Sequence, residues 1–165
     1  MDAAEFEGVL LEYERDLYSF CCYLAGEYAA DLFQDTALSA FEMRGRIDSS
    51  RNPKSFLFSV AAGKWRNYRR KVGRRMGKAE VLPPPVDNPE MAAQNAFVKE
   101  AIWNALSGLN DKFRVPLILH YFEESGLESI AEICGVPMGT IKSRLYKGRA
   151  LLKAALEKEG IVHGL

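Results

Sequence analysis

The chain has 165 residues, 48% apolar and 27% charged, a balance that excludes a disordered polymer and leaves room for one ordinary domain or two small ones. No run of about 18 apolar residues occurs, so no membrane-spanning helix is expected, and the acidic start MDAAEFEGVLLEYERD has neither the basic nor the apolar part of a secretion signal. The 22 basic and 22 acidic residues cancel unevenly: residues 1–16 hold six acids against one base, and residues 64–78 hold eight bases and no acid. Local charge decides whether a surface attracts phosphates, so a net charge of zero does not exclude nucleic acid.

Along the chain, Phe6, Val9, Leu10, Tyr13, Leu17, Phe20, Cys21 and Leu24 recur at helical spacing and predict one long amphipathic helix, which Gly26 ends. In DLFQ, Asp31 is expected to cap a second helix with Gln34 reaching back. That helix carries Leu32, Phe33, Ala37, Ala40 and Phe41 toward Gly45. Asn52 then suits an N-cap and Pro53 the first helical position, where a missing N–H costs nothing. The helix they start is apolar early, basic late, and expected to run to about Arg75. Its stretch KWRNYRRK interleaves Trp65 and Tyr68 with cations, a pattern that fits nucleic acid. The spacing of Phe58, Ala61, Trp65 and Tyr68 fits a buried stripe equally well, so Trp65 is expected in the core with the arginines outside.

EVLPPPVDNPE, residues 80–90, carries four prolines and cannot continue a helix. It reads as a semi-rigid spacer between two units. The expected division is 1–77, a linker over 78–95, and 96–165. Beyond the linker, Phe97, Ala101, Ile102, Ala105 and Leu106 form a stripe ending at Gly108, and a further helix starts near Asn110 with Pro116 inside its apolar run. Period-two alternation is absent throughout. The fold class is all-α, two small helical domains.

Ser125 and Glu128 have the spacing of a capping box before a short helix with Leu127, Ile130, Ala131 and Cys134 on one face. Gly135 supplies the turn, and Val136-Pro137 leads into a new helix. Small Ala131, turn-forming Gly135 and inward Ile141 sit at the relative positions of a helix-turn-helix. With Ile141 and Leu145 inward, Lys142, Ser143, Tyr146 and Lys147 point outward or to the flanks. Such donors are what a groove-reading helix needs. An ordinary solvated basic face is the bland alternative, and the capping box, the turn glycine and an acid-free second helix together favour DNA.

Cys21, Cys22 and Cys134 lack metal-ligand spacing, and His120 and His163 are isolated, so Cys21 and Cys134 read as small buried apolar residues. No metal or cofactor is expected. The basic stretches hold no carboxylates for metal catalysis and no nucleophile–base pair, which argues against an enzyme.

AADLFQDTALSAF, PKSFLFSVAAGKWRNYRRK, the proline linker and LNDKFRVPLILHYFEESGLESIAEICGVPMGTIKSRLYKGRALLK, in that order, resemble the extracytoplasmic-function sigma factors of bacterial RNA polymerase, over about residues 6–155. The resemblance implies a cytoplasmic, non-catalytic protein that binds core polymerase and directs initiation at specific promoters. It implies that Asp31, Leu32, Gln34, Asp35 and Thr36 dock on the clamp coiled coil. The segment carrying Arg46, Ser49, Ser50, Arg51, Asn52 and Lys54 would capture an unpaired base of the minus-ten element, and Lys64, Arg66, Asn67, Arg69 and Arg70 would hold that element's backbone. At the minus-thirty-five duplex, Lys142, Ser143, Tyr146 and Lys147 would meet bases, with Thr140 and Arg144 on phosphates. The helix with Leu117, Ile118 and Tyr121 would partly face the polymerase flap, and an anti-sigma factor is the implied regulatory partner. The sequence departs from the family with Phe56-Leu57 where Trp-Leu is usual, and with Gly63 and Asn67 where Asn and Asp are common. The alternative is a stand-alone helix-turn-helix regulator, which would bind a palindrome as a dimer.

Overall fold

The computed structural model describes residues 1–47, 52–72, 100–158 and 160, and all regular structure among them is helical. Helix α1 spans Ala3–Ala25. A capping box opens it: Asp2 Oδ1 accepts from the Glu5 N–H at 2.8 Å, and Glu5 Oε2 accepts from the Asp2 N–H at 3.0 Å. Gly26 closes it at φ 55°, a positive value that glycine reaches without a Cβ clash. The expected stripe faces inward, with Phe6, Leu17, Phe20, Cys21 and Leu24 buried and Val9, Leu10 and Tyr13 packed at its margin.

A single tight turn, Gly26–Tyr28, leads directly into α2, Ala29–Glu42. The entry through that turn corrects the expected cap. Tyr28 occupies the N-cap position without a capping bond from its side chain, and Asp31 lies inside the first turn. Its carboxylate still faces the positive end of the helix dipole. A second short turn, Arg44–Arg46, precedes Ile47.

Helix α3, Pro53–Val72, starts as anticipated. Asn52 Oδ1 accepts from the Lys54 N–H at 2.9 Å, satisfying one orphan amide of the first turn. Phe20 of α1 stacks on Phe58 of α3 with ring centres 4.6 Å apart, and Leu57, Phe58 and Ala61 are fully buried. Helices α1, α2 and α3 thus form one three-helix unit. The proline linker, Phe97 and the expected continuation of the helix to about Arg75 lie outside the described residues.

Helix α4 covers 100–107, and it buries Trp103 beside the expected Ala101, Ala105 and Leu106. Helix α5, Asp111–Tyr121, is capped by Asn110, whose side-chain oxygen accepts from the Lys112 N–H at 3.1 Å. Helix α6 is Leu127–Cys134 and α7 is Met138–Lys158. The expected capping box at α6 is absent: Gly126 occupies the N-cap, and the Ser125 N–H donates to Leu119 O at 2.9 Å, which ties Ser125 to the end of α5. Glu128 remains in the first turn of α6, favourable to its dipole.

Helix α7 crosses α5 at Gly148. A Cβ there would sit 3.1 Å from Leu117 Cδ1 and 3.4 Å from Phe113 Cβ. The absent side chain is therefore what lets the two helices approach so closely. The two units share one contiguous core, with α3 against α6 and α1 against α5. Tyr23 of α1 lies against both Trp103 and Phe122, with ring centres 5.6 and 4.7 Å away.

Candidate nucleic-acid interface

The turn between α6 and α7 is built by backbone geometry. Gly135 takes φ 69°, ψ 33°, and its N–H donates to Ala131 O at 2.9 Å, while the Val136 N–H reaches the same carbonyl at 3.2 Å. These bonds satisfy the last carbonyls of α6 and reverse the chain within three residues. Pro137 then starts α7, and its carbonyl accepts from Thr140 and Ile141 N–H at 3.0 and 3.2 Å. Ile141 and Leu145 are buried against α5 and α6. That rotation fixes the opposite face: Lys142, Ser143, Tyr146 and Lys147 are exposed, with Tyr146 at 79%.

Two cations outside the predicted site residues, Lys112 and Arg149, lie beside this surface. Lys112 at the start of α5 and Lys147 both place Nζ over the Phe113 ring, at 4.9 and 5.6 Å. Farther along α7, Arg149 donates from Nε to the Tyr121 hydroxyl at 2.7 Å and lies 3.3 Å from His120 Nε2. The signal for Lys112 was its place two residues after the Asn110 cap, but only the packing of α5 on α7 shows which face it joins.

Arg144 and Thr140 are half-buried, and Arg144 turns away from the exposed stripe. It lines a cleft with Arg66 and Trp65 of α3, Lys112 of α5, and Cys134 of α6. Burial pushes the Cys134 thiol up to about 11, against the opposing pull of Arg144 and Arg66.

On α3, Trp65 is buried and stacks beside Tyr68, as expected. Arg66, Asn67, Arg70 and Lys71 are exposed, and Arg70 Nη2 donates to Asn67 Oδ1 at 3.4 Å. Two predicted cations lie beside acidic side chains. Arg69 Nη2 is 3.3 Å from Asp111 Oδ1, and Lys64 shares a recess with Asp31 and Asp35 of α2. At the start of α3, Asn52 is used as the cap and Lys54 Nζ lies 3.2 Å from Asp16 Oδ2. Arg46 is exposed, whereas Ser49, Ser50 and Arg51 lie outside the described residues.

Helix α2 divides its motif between two faces. Leu32 and Thr36 are buried, Thr36 completely, so neither is on the surface. Asp31, Gln34 and Asp35 are exposed, and the same face continues to Leu38, which is 64% exposed, and Glu42. Leu38 was missed because it lies beyond the motif. Its signal is spacing, three and four residues after Asp35 and Gln34 on a helix. On α5, Leu117 and Ile118 are fully buried against the rest of the core, so the expected apolar contact face there reduces to Tyr121 and Phe122 at its exposed end.

Among the described residues, an all-helical chain carries an exposed basic helix after a glycine turn and a second basic helix in its N-terminal three-helix group. Comparison with known proteins makes the class specific. Residues 9–75 match the Sigma-70 region 2 family and residues 99–152 match Sigma-70, region 4. The chain is 30% identical to the RNA polymerase sigma factor YlaC of Bacillus subtilis, over 80% of this chain and 79% of that protein. It is 25% identical to the ECF RNA polymerase sigma factor SigW of the same organism, over 94% and 90% of the two chains. Among solved structures, the sigma factor RpoE bound to the anti-sigma factor NepR from Bartonella quintana superposes with a TM-score of 0.75 at 27% identity, covering 93% of this chain and 97% of that one. The fold is also that of CnrH, solved with the cytosolic domain of CnrY, at a TM-score of 0.68 and 18% identity over 95% and 90% of the chains. The protein belongs to the extracytoplasmic-function sigma factors of the sigma-70 family, which direct promoter-specific initiation by RNA polymerase.

Proposed function

We propose that this sigma factor divides its work among three surfaces. The exposed face of α2, with Asp31, Gln34, Asp35 and Leu38, docks on the clamp coiled coil of core polymerase. Arg66, Asn67 and Arg70 of α3, joined by Lys71, hold the backbone of a melted minus-ten element, with Arg46 to Lys54 as the base-reading segment. Lys142, Ser143, Tyr146 and Lys147 of α7 read the minus-thirty-five duplex in the major groove, with Lys112 on the flanking phosphates.

The observation that carries this reading is the rotation of α7. Burial of Ile141 and Leu145 leaves four donor side chains in one outward row directly after the helix-turn-helix turn. The units divide at the proline linker, as 1–77 and 96–165. Such a linker lets two modest sites act together through effective concentration. The protein acts in the cytoplasm, without catalysis, and an anti-sigma factor regulates it. The relative solved with NepR supports that partner. Among the described residues no helix is long and apolar enough to cross a membrane.

The test separates the surfaces. Asp35→Lys and Leu38→Asp should each lower affinity for core polymerase at least tenfold while leaving the thermal melt within about 1 kcal/mol of wild type, as exposed positions do. Lys142→Ala should leave polymerase affinity unchanged and weaken promoter binding. Normal polymerase binding by both α2 variants would remove the docking assignment.

A further inference from the structure

The cleft that Arg144 lines has a volume of about 330 Å³, within the range that small-molecule sites occupy. Three cations from three helices border it: Arg66 of α3, Lys112 of α5 and Arg144 of α7. Among the described residues, neither Arg66 nor Arg144 has a hydrogen-bond or ion-pair partner. Asp111 supplies the only carboxylate of the described lining, and that carboxylate is already claimed. Its Oδ1 lies 3.3 Å from Arg69 Nη2 and 2.9 Å from Arg114 Nη2. Arg114 is 4% exposed and also donates from Nη2 to Leu24 O at 3.1 Å, which fixes it in place. The positive charge of the three bordering cations is therefore left uncancelled.

The walls are apolar. Ala62, Trp65, Val115, Pro116, Cys134 and Val136 supply them. Trp65 is 4% exposed, and its Nε1 is buried without a hydrogen-bond partner among the described residues. A buried donor left unpaired costs free energy that a bound acceptor recovers. Cationic border, apolar wall and spare donor together suit a phosphate-bearing molecule with an apolar body. Guanidinium forks match phosphate oxygens in pairs, and apolar burial holds the remainder.

We propose that this cleft binds a small organic phosphate, with Arg66, Lys112 and Arg144 on its phosphate oxygens and the walls around Trp65 on its apolar part. The site gives Arg144 a role outside the outward row of α7. Arg66 and Lys112 are shared with the proposed promoter surfaces, so the site is tested without DNA, and its failure leaves the promoter reading standing.

Isothermal titration of the full chain with adenosine monophosphate is the direct test. Wild type should bind it saturably at a single site. Inorganic phosphate, which lacks the apolar part, should bind at least about tenfold more weakly. Arg144→Gln and Lys112→Gln should each weaken nucleotide binding about tenfold, the loss expected for one charge-assisted contact. Lys153→Gln removes the same charge from an exposed position of α7 outside the cleft and should leave binding unchanged. Circular dichroism checks each fold, and exposed Lys112 decides the matter if Arg144→Gln loses helix. Absence of saturable binding by helical wild type, or equal weakening by all three variants, would overturn the site. Phosphate binding as tight as that of the nucleotide would overturn the apolar half. A single-stranded oligodeoxynucleotide that binds through Arg144, while the nucleotide does not bind, would assign the cleft to DNA and overturn the proposal as well.

Discussion

Two glycines in helix interiors make opposite predictions for the same substitution. At Gly63 in α3, a Cβ would meet nothing within 4 Å. Gly63→Ala therefore gains helix propensity alone, about 1 kcal/mol of added stability. At Gly148 in α7, the Cβ would press on Leu117 Cδ1 at 3.1 Å and on Leu117 Cγ and Phe113 Cβ at 3.4 Å. Leu117 is completely buried, so it must shift within the core to admit that Cβ. Overpacking of this kind costs about 1–3 kcal/mol, set against the same 1 kcal/mol propensity gain. The expected net effect runs from none to about 2 kcal/mol of destabilisation, and Gly148→Val, with two further methyl groups, should cost more. Urea denaturation followed by circular dichroism, with each midpoint compared with wild type, measures the difference. A gap of at least about 1 kcal/mol between the two alanine variants is the prediction. Equal stabilisation by both would refute the close α5–α7 crossing, and with it the rotation assigned to α7.

Three further outcomes follow from the site and core. Lys142→Ala and Lys147→Ala should weaken binding to a promoter duplex, and each lysine that contacts phosphate should lower the slope of log affinity against log salt by about 0.9. Binding with unaltered slope in both variants would show that neither meets phosphate. Gly135→Ala should cost about 1–2 kcal/mol, because an L-residue is strained at φ 69°. A thermal melt equal to that of wild type would contradict the observed turn.

The third concerns pH. Burial, with a smaller push from Cys22, raises the Cys21 thiol from an ordinary value near 9 to about 12. Between those values the unfolded chain loses a proton that the folded chain keeps. Stability from this group is therefore complete below pH 9 and falls as pH rises toward 12, by up to about 1.4 kcal/mol per unit. Urea midpoints at pH 8 and 10.5 should differ less for Cys21→Ala than for wild type, and an equal difference would refute the assignment.

Much of the fold was legible because its signals are local. Gly26, Asn52 with Pro53, Asn110 and Gly135 each act within a turn of their own position, and each marks the boundary it was expected to mark. The helix-turn-helix was legible for the same reason. Local signals misled where a neighbouring element had already claimed the residue. Ser125 is bound back to α5 and does not cap α6, and Asp31 falls inside α2 because the turn before it is so short.

Burial within a motif needs the tertiary packing. Thr36 and Asp35 are adjacent in one motif, yet one is buried and the other exposed. Least legible was the meeting of Arg69, Asp111 and Arg114. Arg69 is 42 residues from Asp111, and Arg114 is 90 from Leu24. No periodicity encodes contacts at those separations. The family resemblance supplied the expected roles of the basic surfaces, but only the packing shows that Arg144 lines the cleft with Arg66 and that Arg69 meets Asp111.

The most direct measurement is reconstituted initiation. Purified protein, core RNA polymerase and promoter fragments from the source genome are mixed, and specific transcripts are counted with each component omitted in turn. Transcription that requires both proteins and fails when either promoter element is scrambled is the predicted result. Polymerase that neither binds the chain nor initiates with it, while the chain alone protects a palindrome, would contradict the account.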